Sequence, residues 1–478
     1  MQYSCFNTLL AAGLTGLLAM PVVSLAQVPS ANAVQLSIHD DLADTPSSDA
    51  LSVSTLYPVP PDHSSENESH APPNSPSASV DLTFSTPQID RTGAVFFPSV
   101  TITERFEGIF SNSSSAFSVS IDLYSPPEFK GGLIVVGKDV ALKIGGYVKA
   151  DFIYDFDPID STDSFVTTSI PVGAPPRTNT RFHARQTRLS FDTRWAAHEE
   201  TIRIYVEGDF FSHEDQYRMR HAYGEYGSIL VGHTWTAFTD VSAAPPTLDY
   251  EGSVSTVSRR QAQARWTSRF FDDALALAVS LEDASFIIEP PDGITGDPRS
   301  PSPDLITHIR YEQPWGRFQL AHLFRIGGFQ PDNDDVITAP AWGFNFTGAF
   351  PVGKKSKVYG QVLFGEGIGS YRDLPDAVPS SATSEQLLGM LGWMVGATRA
   401  WTDRLSSNIT YAENTLNNPA YQNANDVHRT TYLSANLIWN PIERVNLGIE
   451  YLYGIRENVG GEMGAAHRIQ TAFIFDLP

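Results

Sequence analysis

Leu142 to Phe156 reads LKIGGYVKADFIYDF. Leu142, Ile144, Val148, Ala150, Phe152, Tyr154 and Phe156 share one parity, and Lys143, Tyr147, Lys149, Asp151 and Asp155 share the other. Successive side chains of an extended chain point to opposite faces, so this alternation describes a long strand with one apolar and one polar side. The pattern recurs. From Thr201 to Phe211, Ile202, Ile204, Val206 and Phe210 alternate with Arg203, Tyr205, Glu207 and Asp209. From Lys357 to Gly365, Val358, Val362 and Phe364 alternate with Lys357, Tyr359 and Gln361. From Arg444 to Arg456, Val445, Leu447, Ile449, Tyr451, Tyr453 and Ile455 alternate with Asn446, Glu450 and Arg456. About sixteen such strands fit between Leu142 and Phe475, each near the ~9–11 residues that a tilted strand needs to cross a bilayer.

The connections separate a membrane barrel from a soluble β-protein. One set is tight: Ala196 to Glu199, the Gly227 turn, Gln313 to Gly316, Gly353 to Lys355, Thr402-Asp403 and Asn440 to Glu443. The interleaved set is long: Asp157 to Asn179, Ala237 to Ser258, Asp283 to Pro303, Gly327 to Val336, Glu366 to Glu385, Glu413 to Val427 and Asn458 to Ala465, with Ser212 to Asp215 the exception. Sorting of loops by parity is expected when one end of a barrel faces the periplasm and the other the exterior. Trp195, Trp266, Tyr311 and Trp439 fall beside the tight turns, and Tyr154, Phe156, Phe210, Trp235 and Tyr453 beside the opposite ends, as two interfacial belts require. The expected fold is all-β: a transmembrane antiparallel β-barrel of about 16 strands over residues 131–478, behind a disordered N-terminal segment.

The remainder of the chain reads as address and tether. Residues 1–26 carry the apolar run LLAAGLTGLLAMPVVSLA and end in Ser24-Leu25-Ala26, which marks a signal peptide cleaved before Gln27 and export from the cytoplasm. Residues 27–130 form a Pro/Ser-rich acidic linker or N-terminal extension; the part up to about Ser79 has too little apolar material to fold, and runs such as AVFFPSVTITERF further on allow isolated strands or a small module. The single cysteine, Cys5, lies within the cleaved segment, so no disulfide framework is available. With 32 Lys and Arg against 54 Asp and Glu, the net charge of −22 excludes general nucleic-acid binding.

Several runs resemble the DcaP-like family of Gram-negative outer-membrane porins. They are LKIGGYVKADFIYDFDPI (142–159), FVTTSIPV (165–172), TRFHARQTRLSFDTR (180–194), YVEGDFF (205–211), YRMRHAYGEYGSILVGHTWTAFTD (217–240) and TLDYEG (247–252). From about Phe270 onward the likeness is one of pattern more than of words. The resemblance implies a homotrimer of sixteen-stranded channels in the outer membrane, favouring small anionic solutes such as dicarboxylates. Members of that family often carry an N-terminal coiled coil; here a Pro-rich segment stands in its place.

In a channel, the chemistry sits on the polar parity. Extending the register puts Arg188 and Arg194 on the second strand, Arg203 on the third, Arg218 and Arg220 on the fourth, and Arg259 and Arg265 on the sixth. Guanidinium stays charged in a narrow lumen and grips carboxylate with two parallel hydrogen bonds, so such a wall suits small anions. The competing role for these arginines is structural pairing with Asp151, Asp192, Glu207 and Asp209. The segment Ala237 to Ser258, after the fifth strand, has the position of a loop that folds inward; its Asp240, Asp249 and Glu251 are expected to face the basic wall and set up a transverse field.

Enzyme motifs fail on inspection. The G-x-x-x-x-G-K matches at Gly132 and Gly348 lack the following Ser or Thr, and His198-Glu199 and His213-Glu214 lack the second histidine of a zinc protease. Acidic loop clusters such as Asp332, Asp334 and Asp335 lack the spacing of an EF-hand, and no cofactor is expected. The alternative class is an exported surface β-protein that binds glycans or adheres without transport.

Overall fold

The computed structural model describes residues 133–477 except 138, 198–199, 333 and 381–385, together with the backbone of short strands between residues 51 and 125. The signal peptide, and most of the linker expected over 27–130, lie outside the described residues. Within 27–130 the described strands form two three-stranded antiparallel groups, one of Leu51–Ser52, Ala78–Phe84 and Val100–Phe106, the other of Gln88–Ile89, Val95–Phe97 and Leu123–Ser125.

From Val140 onward, sixteen strands pair antiparallel in chain order. They are β1 (Val140–Asp155), β2 in two segments (Asn179–His183 and Arg188–Ala197), β3 (Glu200–Asp209), β4 (Arg218–Tyr226), β5 (Ile229–Trp235), β6 (Arg260–Phe270), β7 (Leu275–Glu282) and β8 (Asp304–Gln313). There follow β9 (Gly316–Pro331), β10 (Ile337–Val352), β11 (Ser356–Glu366), β12 (Gly389–Ala400), β13 (Leu405–Asn417), β14 (Val427–Trp439), β15 (Val445–Asn458) and β16 (Met463–Asp476). The last strand pairs with the first, Phe473 opposite Ala150 and Arg468 opposite Asp155, so the sheet closes and leaves no free edge along the wall.

Burial runs opposite to that of a water-soluble protein. Leu320, Phe346, Val362, Leu391, Ile409, Leu437, Ile449 and Phe473 point outward and are exposed, whereas Gln319, Asn345, Gln361, Asn408, Glu450 and Gln470 point inward and are buried. Cross-strand pairs keep the two sets apart: Leu320 faces Phe346 on the outside, and Gln319 faces Thr347 on the inside. An apolar exterior around a polar interior is stable only against lipid.

One end carries only tight turns, none longer than the five residues between β14 and β15. At the other end four loops are long, at residues 156–178, 236–259, 283–303 and 367–388. Two loops expected to be long are short: β9 runs on to Pro331, where it pairs with Gly296–Arg299, and only residues 459–462 separate β15 from β16. Strand pairing simply continues past the membrane there, which alternation read on its own undercounts. Trp266, Tyr311 and Trp439 are exposed on the outer surface near the tight turns, joined by Trp315 and Trp401. Trp235 departs from its expected place in a belt: β5 ends at this residue, and its ring lies inside, beneath the Arg260 guanidinium at 4.5 Å.

The seam between β16 and β1 has two parts. Tyr147 to Asp155 pair with β16, and on the same edge Ala141 to Ile144 pair with an N-terminal strand, Leu133–Val136. Gly146 sits at the junction with φ +133°, and a Cβ there would lie 2.1 Å from the Arg188 carbonyl oxygen, so only glycine fits.

Candidate functional site

The third loop, residues 236–259, leaves β5 and folds into the barrel. Its backbone is caught at intervals by polar side chains on the inner face of β9 to β16. Asn345 Nδ2 donates to the Phe238 carbonyl at 2.7 Å, Asn436 Nδ2 to Pro246 at 2.9 Å, and Glu450 accepts from the Leu248 and Asp249 amides at 2.8 Å each. Gln361 and Asn414 hold Ser255 and Val254 in the same way. Buried backbone groups need partners, and the polar inner wall supplies them.

Two other loops lock the third in place. The first loop, 156–178, presents the Phe165 amide to Asp249 at 2.7 Å, and Arg468 of β16 bridges Asp155 at 2.6 Å to the Ser161 carbonyl at 2.9 Å. The sixth loop, 367–388, sends Arg372 to the Val254 carbonyl at 2.6 Å and Tyr371 to Asp304 at 2.8 Å. Arg325, itself buried, gathers Asp304, Ser370 and the Ser285 carbonyl. The loops therefore fill the β9–β16 side of the lumen and leave the β2–β8 side as the open wall.

That wall is rich in arginine, and its carboxylates are shared. Asp192 bonds both Arg194 and Arg203 at 3.1 Å, and Asp209 bonds both Arg218 and Arg220 at 2.8 Å. Glu207 meets Arg220 at 2.9 Å and Arg188 at 3.7 Å, while Glu225 meets Arg203 at 3.0 Å. Tyr205 and Tyr223 stack against Arg203, and Tyr147 and Tyr250 against Arg188. A cavity of about 400 Å³ lies between Lys143, Asp192, Arg203, Tyr205, His221 and Trp235. A larger one, about 580 Å³, opens toward the tight turns past Arg265, Arg269, Arg310 and Arg317.

A closed sixteen-strand barrel with this inward loop is the architecture of a porin, and residues 133–475 match the model of the DcaP outer membrane protein family. The chain belongs to the DcaP outer membrane protein family. It is accordingly an outer-membrane channel of the porin class. The outer membrane channel DcaP of Acinetobacter baumannii shares 20% identity at a TM-score of 0.66, covering 73% of this chain and all of that one. An anion-selective porin from Comamonas acidovorans shares 9% identity at a TM-score of 0.50, covering 71% of this chain and all of that one. At these identities the likeness to solved structures shows the fold. Comparison with curated proteins found no match.

Within this DcaP-family barrel, Arg188, Arg194, Arg203, Arg218 and Arg220 lie on the inner wall in the pairs just described. Asp151 is not among their partners; it bonds Lys149 at 2.5 Å. Arg265 also faces inward, and its side chain makes no hydrogen bond or ion pair among the described residues. Arg259 precedes β6 by one residue and turns to the sixth loop, donating to the Ser370 carbonyl at 2.8 Å.

Two of the three loop carboxylates, Asp240 and Asp249, are buried away from the basic wall, against the expectation that all three face it. Asp240 is buried against the β9–β10 side, where it accepts from Thr347 at 2.8 Å and pairs with Arg317 at 3.2 Å. Burial pushes its carboxyl up, but Arg317, Ser242 and Thr347 outweigh this and hold it below the ordinary carboxylate range. Asp249 is buried beneath the loop, 3.6 Å from Arg468, and Glu251 turns toward Arg372 at 3.7 Å. Burial pushes both of these carboxyls up. A loop that closes on a wall must satisfy its polar groups from that wall, so Asp240 and Asp249 turn away from the cleft, while Glu251 stays partly exposed within reach of Arg218. Sequence reasoning also missed Arg310 on the open side, Arg317 beside it on β9, and Arg325, Arg372 and Arg468 beneath the loops, although the strand members share the inward parity. Among the described residues no group of His, Cys, Asp and Glu is arranged to hold a metal ion.

Proposed function

We propose that the barrel is a passive diffusion channel that prefers small anions, dicarboxylates among them, and that it works as a homotrimer. The observation that carries the reading is the sharing of carboxylates on the open wall. Asp192, Glu207 and Asp209 each serve two arginines, so the wall keeps a positive surplus after every pair is made. Inside a narrow cleft such a surplus acts on a passing ion at close range, with little screening. The trimer rests on family membership.

Reversal potential in a salt gradient across a planar bilayer tests the preference. The wild-type channel should be anion-selective, and replacing Arg203 and Arg220 by Ala should move the potential toward cations, because Asp192, Glu207, Asp209 and Glu225 then face only Arg188, Arg194 and Arg218. A cation-selective wild type, or an unmoved potential, would overturn the assignment. Detergent-extracted protein should run as a heat-modifiable trimer.

A further inference from the structure

We infer that the larger cavity, between the third loop and the tight turns, is a saturable binding station for divalent oxyanions, held by Arg265 and Arg310. The inference rests on the anion-preferring reading and deepens it: the unpaired arginines beyond the cleft, rather than the paired ones within it, bind the solute.

Four guanidinium groups line this cavity, from Arg265 and Arg269 on β6, Arg310 on β8 and Arg317 on β9. The only carboxylate among its described lining residues is Glu225, which Arg203 already holds at 3.0 Å. The Arg265 side chain makes no hydrogen bond or ion pair among the described residues, Glu282 and Glu225 acting on it only from a distance, and Arg310 spends Nε and Nη2 on one acceptor, the Gln319 side-chain oxygen, at 3.0 and 2.6 Å. Arg317 is drawn back by Asp240 at 3.2 Å and Glu312 at 3.5 Å, and its Nε is buried without a partner. Half-buried cations with no counterion in contact are costly, and a mobile anion that comes into contact with them is bound by relieving that cost. Guanidinium forks match the paired oxygens of carboxylate or phosphate, and a divalent ion meets two of them at once. Ser228, Thr267 and Ser268 line the same space and offer hydroxyl donors. The arginine of the smaller cavity is placed differently: Arg203 is held by Asp192 at 3.1 Å and by Glu225 at 3.0 Å.

The test uses the full-length channel in planar bilayers, with chloride carrying the current and inorganic phosphate as the probe. Phosphate should depress the chloride conductance along a saturating curve. Arg265→Gln and Arg310→Gln should each raise the half-saturating concentration about tenfold, the loss of one charge-assisted contact. Arg310→Lys, which keeps the charge and loses the fork, should fall between. Arg399→Gln, on β12 and bonded to Ser356, should bind phosphate as the wild type does. A linear response to phosphate in an anion-selective wild type overturns the station and leaves the anion preference standing, as do Arg265 and Arg310 variants that saturate like the wild type. A cation-selective wild type overturns both.

Discussion

Arg468 shows what a single residue does in this lumen. It is fully buried, bonds Asp155 across the closing seam and lies 3.6 Å from Asp249 of the third loop. Replacing it by Met keeps the volume and strands two carboxylates, and breaking a buried pair in this way costs about 3–5 kcal/mol. Arg468→Met should lower the temperature of the heat-modifiable gel shift and open the first and third loops to protease; unchanged melting and unchanged resistance would refute its role as an anchor. Arg468 has the same inward parity as Arg203, and nothing local in the sequence separates the two. What differs is that a loop from elsewhere in the chain covers one and leaves the other beside an open cleft.

The strands were legible because alternation is a local property, written within each run such as Leu142 to Phe156. The loop packing was not, because its contacts join distant residues: the Leu248 amide reaches Glu450, 202 positions away. The inward position of the third loop could be anticipated from its place after β5, but not the direction of its carboxylates, which depends on the wall it closes on. The sixth loop gave no comparable sign, yet it is as firmly held. Its Asp376 is buried, accepts from the Ile287 and Ser370 amides at 2.8 and 2.9 Å, and sits 3.5 Å from Arg325. Burial outweighs Arg325 and the amides and pushes this carboxyl up to about 6. A raised value means that the docked loop binds a proton the undocked loop does not. Docking is therefore strongest below the ordinary carboxylate range and weakens as pH rises through about 6. Hydrogen exchange at Leu388, corrected for intrinsic rates, should be about tenfold less protected at pH 7.5 than at pH 5, and Asp376→Asn should flatten the difference. Protection that rises with pH would show that the Arg325 pair dominates instead.

At the scale of the whole molecule, a chain of net charge −22 carries an arginine-lined cleft. Exposed acids at Asp283, Asp292, Asp297, Asp332, Asp334 and Asp335 crowd the long-loop end. Their field reaches ~30 Å at 0.01 M salt but only ~8 Å at physiological strength, whereas the wall arginines act at contact range. The anion-to-cation permeability ratio should therefore pass through a maximum between low salt, where the loops repel anions, and about 1 M, where the wall is screened as well. A steady fall from the lowest salt would mean that the outer acids play no part. The divided seam also bears on how the ring closes. The last strand must find the first across more than three hundred residues of chain, and a sheet edge accepts a partner slid by two positions almost as readily as the right one. Leu133–Val136, only a few residues from its partner Ala141 to Ile144, occupies the lower part of that edge from the outset. It works as a doorstop: β16 can slide down β1 only until Leu477 meets Gly146, and the register of the whole cylinder is set there.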